Sequence, residues 1–179
     1  TSGGVTRSAE TANGSGDAST FNDSEGVLMV ELSRFKQSGI VNYLALGIVD
    51  GTGNNEVIFK FRNYTNTFYA TIKSSNGSTR TDLNYTFQDL SLNTKIALKY
   101  KTNDFSLWVN GYEVVTSNNA NSPIGLNELN FETYNGGEAF EGNTKQLQYF
   151  DTSLNDSDLE KLTSWVSFTD MAESQLYSI

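Results

Sequence analysis

The stretch from Thr94 to Val115 constrains the fold more than any other part of the sequence. It contains three short runs in which apolar and polar side chains alternate. Alternation with a period of two is typical of half-buried β-strands. The turn residues Thr102–Asp104 separate the first two runs, and Asn110-Gly111 separates the last two. Asn-Gly between alternating runs is a strong hairpin signal, because a type I′ turn needs positive φ at both central residues. The stretch therefore predicts an antiparallel meander.

Similar runs occur on both sides of the meander. They predict further strands at Leu28–Ser33, Tyr43–Val49, Val57–Arg62, Phe68–Lys73, Leu83–Phe87, Glu128–Glu132 and Phe140–Phe150. Between Asp151 and Trp165 the apolar spacing becomes helical, and Asn155 or Asp156 is suited to cap the helix. Roughly ten strands followed by one short C-terminal helix predict an all-β sandwich of two antiparallel sheets.

The domain boundaries follow from composition. Residues 1–22 are rich in Gly, Ser, Thr and Ala without apolar periodicity, which predicts a linker or a loosely held arm. The sandwich is predicted over residues 23–165, and residues 166–179 are predicted to be an acidic C-terminal tail. The opening residues suggest a fragment of a longer protein.

Absent residue types narrow the chemistry. The 179-residue sequence contains no His and no Cys, which excludes Ser-His-Asp and Cys-His catalysis, His-ligated zinc and disulfides. The formal net charge of −9 argues against a nucleic-acid partner, because phosphate binding relies on lysine and arginine. No apolar run approaches the ~18 residues of a membrane span, so membrane insertion is not expected.

Two segments together resemble a known family. The first is the meander itself, KIALKYKTNDFSLWVNGYEV, and the second runs from Phe140-Glu141-Gly142 into FDTSLNDSDLEKL. Both resemble laminin-G-like domains of the concanavalin A-like lectin/glucanase superfamily, over about Gly26 to Trp165. The resemblance implies a jelly-roll β-sandwich and a non-catalytic binding module.

The first 33 residues resemble the approach to the C-terminal laminin-G-like module of bacteriophage tail-fibre proteins. This resemblance implies host-surface or polysaccharide recognition, a virion or extracellular location, and a homotrimer in the full fibre. Fibre multivalency would then multiply a modest affinity for glycan.

Sugar recognition requires aromatic faces and a few placed polar groups. Candidate residues lie on the non-core faces of the early strands and in loops: Tyr43, Lys60, Arg62, Tyr69, Lys73, Tyr64 and Tyr134. If the two lysines and Arg62 share one sheet face, they form a basic patch that suits anionic polysaccharide. The alternative is a structural or oligomerisation domain, in which the same residues and the tail 166–179 pack between subunits.

A calcium ion is possible in this superfamily, although no cofactor is required. The candidate ligands in or beside loops are Asp50, Asp104, Glu138 and Glu141. No Asp-x-Asp-x-Asp-Gly spacing groups them, and solvated loop acids are the favoured interpretation.

Catalysis is a remote alternative. The glucanases of this superfamily carry a strand motif Glu-x-Asp-x-Glu, and the nearest match is Glu128 to Glu132. Its central position is Asn130, so the carboxylate that would tune its neighbours is missing. An ordinary strand is favoured over a glycoside hydrolase site.

Trp108 points away from the core face of its strand, and we expect a loop or the helix to bury it.

Overall fold

The computed structural model describes residues 15–34, 43–62, 66–74 and 79–175. These residues form ten strands and two helices. The strands are β1 (Glu25–Arg34), β2 (Tyr43–Val49), β3 (Glu56–Arg62), β4 (Thr67–Ser74), β5 (Thr79–Thr86), β6 (Thr94–Lys101), β7 (Phe105–Val109), β8 (Tyr112–Ser117), β9 (Glu128–Asn130) and β10 (Gly142–Phe150). The helices are α1 (Asp156–Thr163) and α2 (Phe168–Ser174).

Two five-stranded antiparallel sheets face each other. The first has the strand order β10-β1-β6-β7-β8, and the second has the order β5-β4-β3-β2-β9. The predicted meander forms β6, β7 and β8 of the first sheet. Its second turn has φ of 49° at Asn110 and 88° at Gly111, as the Asn-Gly pair predicts.

The main core lies between the sheets. Alternate side chains of each strand enter it, among them Leu98 and Leu107 from the first sheet and Phe59 from the second, all fully buried. Burial of side chains of this size contributes about 1.5–3 kcal/mol each relative to exposure. The predicted two-sheet sandwich is therefore confirmed.

A smaller apolar cluster lies on the outer face of the first sheet. There Trp108 packs with Val27 and Met29 beneath Leu159 of α1. Only 6% of Trp108 is exposed, and its Nε1 donates to Ser106 Oγ at 3.0 Å. Burial of Trp108 by the helix was one of the two expected arrangements, and the structure confirms it.

The helical region differs from the prediction in extent and number. Helix α1 is shorter than the predicted Asp151–Trp165 segment, and Asn155 caps it by accepting from Asp158 N at 3.0 Å. The prediction of a single helix was wrong, because α2 lies within the predicted tail. Ala172 is fully buried, and Gln175 Nε2 donates to Asn93 O at 2.7 Å. A seven-residue helix is too short to display a recognisable apolar period.

Residues 15–22, the described part of the predicted linker or entry arm, contact the sandwich. Phe21 is 8% exposed and meets the Tyr149 ring edge-on at 5.1 Å between centroids. Asn22 N donates to the Tyr149 hydroxyl at 2.8 Å, and Ser15 forms an isolated bridge with Leu129. One aromatic residue in a polar segment gives no periodic signal, so the sequence did not indicate this packing of Phe21.

Several strand ends also differ from the prediction, including the start of β1 at Glu25 instead of Leu28. Strand β5 begins at Thr79 instead of Leu83, β9 ends at Asn130 instead of Glu132, and β10 begins at Gly142 instead of Phe140. Within the described part of the chain, no helix has the length and apolar character needed to span a membrane.

Candidate functional site

The outer face of the second sheet carries a charged cleft. Strands β3 and β4 point Phe59 and Phe68 into the core, so Lys60, Tyr69 and Lys73 occupy the opposite face by alternation. In the register of the two strands, Lys60 lies directly opposite Tyr69. We call this feature the lysine cleft, and its lining residues are Glu56, Lys60, Tyr69, Lys73, Arg80, Thr133, Tyr134, Asn135, Gly137 and Glu138.

Glu56 joins the two lysines at the base of the cleft. Its Oε1 lies 3.0 Å from Lys60 Nζ and 3.1 Å from Lys73 Nζ, and its side chain is 1% exposed. A buried carboxylate is costly unless it is paired, and the two ammonium groups provide the pairing. Glu56 and the two lysines together carry one net positive charge, and Glu138 adds a second carboxylate to the lining of the cleft.

The lysines keep hydrogen-bonding capacity for a ligand. An ammonium group has three N–H donors. Lys73 uses donors on Glu56 and on the carbonyl of Gly53, 3.1 Å away, whereas Lys60 donates to Glu56. Their side chains are 21% and 13% exposed, respectively, so both reach the solvent at the cleft.

Two arginines extend the basic face. Arg80 Nε pairs with Asp82 at 2.9 Å, and the Arg62 guanidinium lies 6.0 Å from the centroid of the Tyr69 ring. Lys60, Arg62 and Lys73 thus share one sheet face, which was the condition set for the predicted basic patch. This basic patch is a local feature, since the whole chain has a formal net charge of −9.

The segment between β9 and β10 forms the wall of the cleft. It is tied to β2 by Ala45 N, which donates to Glu138 O at 2.8 Å, and it is closed by Thr133 N, which donates to Gly137 O at 2.9 Å. Glu138 has φ of 57°, an uncommon conformation for a residue with a Cβ. The cleft has two halves of about 230 Å³ each, and both are lined by Lys60 and Glu138.

The loop between β2 and β3 supports this wall. Asp50 Oδ1 accepts from Thr52 N and Gly53 N, both at 2.9 Å, and Oδ2 accepts from Asn55 N at 3.0 Å. Partial burial alone would raise the pKa of Asp50. The hydrogen bonds from Asn55, Thr52 and Gly53 outweigh it, and the pKa lies below its usual value of 3.8.

Most of the predicted binding residues meet in this region. Lys60, Tyr69, Lys73 and Tyr134 line the lysine cleft, and Arg62 lies beside it. Tyr43 is placed by its backbone in β2, where it pairs with Arg62. Tyr64 lies outside the described residues.

The four predicted calcium ligands are dispersed. Asp50 is engaged by its own loop, Asp104 Oδ1 pairs with Lys99 Nζ at 2.8 Å, Glu138 lines the cleft, and Glu141 precedes β10. Among the described residues, no group of three or more His, Cys, Asp or Glu side chains is placed to hold a metal ion. These four carboxylates therefore do not make a ligand set, and calcium binding stays a prediction.

The glucanase-like stretch is an edge element of the second sheet. Glu128 and Asn130 lie on β9, where Asn130 Nδ2 donates to Glu128 Oε1 at 3.2 Å. Glu132 lies beyond the end of β9, so the strand does not carry both glutamates.

Sequence reasoning missed Glu56 and Arg80 as members of the cleft. Glu56 lies four residues before Lys60 on the same face of β3, so the alternation that predicts an outward position for Lys60 predicts it for Glu56 as well. Arg80 was missed because β5 was predicted to begin at Leu83. The strand register places Glu56, Lys73 and Arg80 in one row across β3, β4 and β5.

No model of a protein family matches the chain, and no curated protein matches it. Among solved structures, the CBM40 module of the Ruminococcus gnavus IT-sialidase bound to α2,3-sialyllactose has a TM-score of 0.64 and 16% sequence identity. The match covers 87% of this chain and 97% of that module.

Two further solved structures have the same architecture. The NanB sialidase of Streptococcus pneumoniae matches 82% of this chain, but only 25% of its own length, with a TM-score of 0.62 and 9% identity. A heptameric SAP-like pentraxin of Limulus polyphemus matches 80% of this chain and 71% of its own, with a TM-score of 0.58 and 14% identity. The predicted jelly-roll, concanavalin A-like fold is confirmed.

Proposed function

We propose that this chain is a non-catalytic carbohydrate-binding module whose lysine cleft recognises a sialylated or otherwise acidic glycan. The observation that carries the proposal is the convergence of Lys60, Lys73 and Tyr134 in one open cleft on an acidic protein. The similarity to a module bound to α2,3-sialyllactose supports the same class of ligand.

The charges of the cleft suit an acidic sugar. Each lysine has a donor not taken up by the contacts described above, and a carboxylate accepts such charge-assisted hydrogen bonds strongly. Tyr134 is 45% exposed and offers a ring to the CH groups of a sugar. Glu138 can accept hydrogen bonds from sugar hydroxyls.

Calorimetric titration with α2,3-sialyllactose, α2,6-sialyllactose and lactose tests the proposal. We expect the two sialylated sugars to bind and lactose to bind at least about tenfold more weakly, since lactose lacks the carboxylate. Lys60→Ala combined with Lys73→Ala should abolish the preference for sialylated sugars.

Lys161→Ala is the matched control, because Lys161 is 74% exposed on α1 and lies outside the cleft lining. It should leave all three affinities unchanged. Equal affinity for lactose and the sialylated sugars would contradict the proposed role of charge. A glycan array with no acidic sugar bound, at any density, would contradict glycan recognition as a whole.

The biological setting is a further part of the proposal. The resemblance of the opening residues to phage tail-fibre modules supports a host-recognition tip, on a virion or an extracellular protein, that binds host surface polysaccharide as a homotrimer. Light scattering tests the assembly: a trimer that survives dilution supports it. The laminin-G-like assignment rests on the two sequence segments quoted above.

A further inference from the structure

The loop from Asp50 to Asn55 makes two connections to the lysine cleft through a single residue, Gly53, which is itself held by Asp50. Its N–H donates to Asp50 Oδ1 at 2.9 Å, and its carbonyl accepts from Lys73 Nζ at 3.1 Å. Its Cα lies under the Tyr134 ring, because a Cβ built on Gly53 would fall 2.2 Å from Tyr134 Cδ1. Only a glycine allows this approach.

The backbone conformation at position 53 also requires a glycine. Gly53 has φ of +73°, a left-handed conformation that residues with a Cβ rarely adopt. Asp50 holds this conformation through its carboxylate, which also accepts from Asn55 N and from Asn55 Nδ2 at 2.9 Å. Asn55 is 2% exposed, and its Oδ1 accepts from Ile124 N at 3.2 Å, which anchors the loop to the rest of the sandwich.

We propose that Asp50 and Gly53 are positioning residues of the lysine cleft, which fix the Tyr134 ring and the Lys73 ammonium group in one arrangement. This inference rests on the proposed function of the cleft. The loop from Asp50 to Asn55, which the sequence predicted only as a connection with one candidate calcium ligand, sets the distance between the Tyr134 ring and the Lys73 ammonium group. A site of this kind gains affinity from being formed before the ligand arrives.

Substitutions at Gly53 and Gly51 test the positioning role. Gly53→Ala should weaken the binding of α2,3-sialyllactose about tenfold, because the new methyl group displaces the Tyr134 ring. Gly51→Ala is the matched control. Gly51 has φ of +74° in the same loop, yet its nearest atom to a built Cβ is Glu128 Oε1 at 3.7 Å. It carries the same backbone strain without the collision, and its affinity should stay within about twofold of the wild-type chain.

A double-mutant cycle separates positioning from loss of stability. In a Tyr134→Ala background the collision is absent, so Gly53→Ala should cause no further loss of affinity beyond that of Gly51→Ala in the same background. An equal loss in both backgrounds would overturn the proposal, as would equal affinities of Gly53→Ala and Gly51→Ala. All variants are measured as the full chain, below their melting temperatures.

A ligand-free measurement distinguishes failure of this inference from failure of the proposed function. In the nuclear magnetic resonance spectrum, the Gly53 Hα signals should be shifted upfield by the Tyr134 ring and should return to ordinary positions in Tyr134→Ala. Absence of that shift in the wild-type chain overturns the positioning role. A clear shift together with no binding of any acidic glycan would instead refute the proposed function, while the loop's control of Tyr134 would stand.

Discussion

The two outer faces of the sandwich differ, although the strands beneath them alternate in the same way. On the first sheet, the outward residues Val27, Met29 and Trp108 are apolar, and α1 covers them. On the second sheet, the outward residues Lys60 and Lys73 are charged, and the cleft above them stays open. One face therefore adds a second core to the domain, and the other is free for recognition. The predictions below test this division, beginning with the largest effect.

The largest effect is expected where the helix covers the first sheet. Leu159→Ala should lower the free energy of unfolding by about 3 kcal/mol, because Leu159 is fully buried and the truncation leaves a cavity. Urea denaturation measures the change. Ile124→Ala, at a side chain that is 52% exposed, is the control and should cost little. Sialyllactose affinity should be unchanged; a loss of affinity in Leu159→Ala would show that the two faces are not independent.

A smaller effect is expected beneath the cleft. Glu56→Gln should destabilise the chain by about 2 kcal/mol, since it removes the charge that pairs with both lysines from a site that is 1% exposed. Because the two lysine side chains are partly exposed, the loss of stability should be smaller than that from breaking a fully buried ion pair. Glu160→Gln, on the exposed side of α1, is the matched control. Equal stability of the two variants would show that the ion pairs contribute nothing.

Removal of the Asp50 carboxylate should have a pH-dependent effect. The pKa of Asp50 is lowered in the folded chain, so its ionised form stabilises the fold above the unfolded value near 3.8. This contribution is lost as the pH falls through the folded pKa. Asp50→Asn should therefore lower stability by about 1 kcal/mol at pH 7, and the difference from the wild-type chain should shrink below pH 3.8.

Thermal melts of both chains across this pH range measure the difference, and Asp151→Asn, at an exposed position, is the control. A difference between Asp50→Asn and the wild-type chain that stays constant down to pH 2 would contradict the role of the ionised carboxylate.

The smallest effect concerns salt. Raising the sodium chloride concentration from low to about 0.5 M should weaken sialyllactose binding only about threefold, because the ion contacts lie partly sheltered in the cleft. Stability, which depends on the first face and on the core, should not fall in parallel. Binding that is unaffected by salt would point to aromatic contacts, with Tyr134 ahead of the lysines.

The sequence was most informative where one physical signal dominates. The meander around Asn110-Gly111 and the outward cations Lys60 and Lys73 were predictable, because alternation and turn chemistry act over a few residues. Helix α2 and the packing of Phe21 were not, because both depend on contacts with strands distant in sequence. The role of Gly53 beneath Tyr134 was also invisible, since it arises from two loops that only the fold brings together.

The pairing of β1 has a consequence for how the chain folds. Its only strand neighbours in the described sheets are β6 and β10, and β6 begins at Thr94, far along the chain from the end of β1 at Arg34. Strands β2, β3 and β4, by contrast, each pair with the next strand in the chain. During synthesis, strands β2 to β5 can therefore pair as consecutive hairpins. Strand β1 has no partner strand until β6 has been synthesised. Such non-local pairing slows folding. Among the described strands, β10 is the last in the chain and pairs only with β1, so we expect the pairing of β10 with β1 to be the last step of sheet formation.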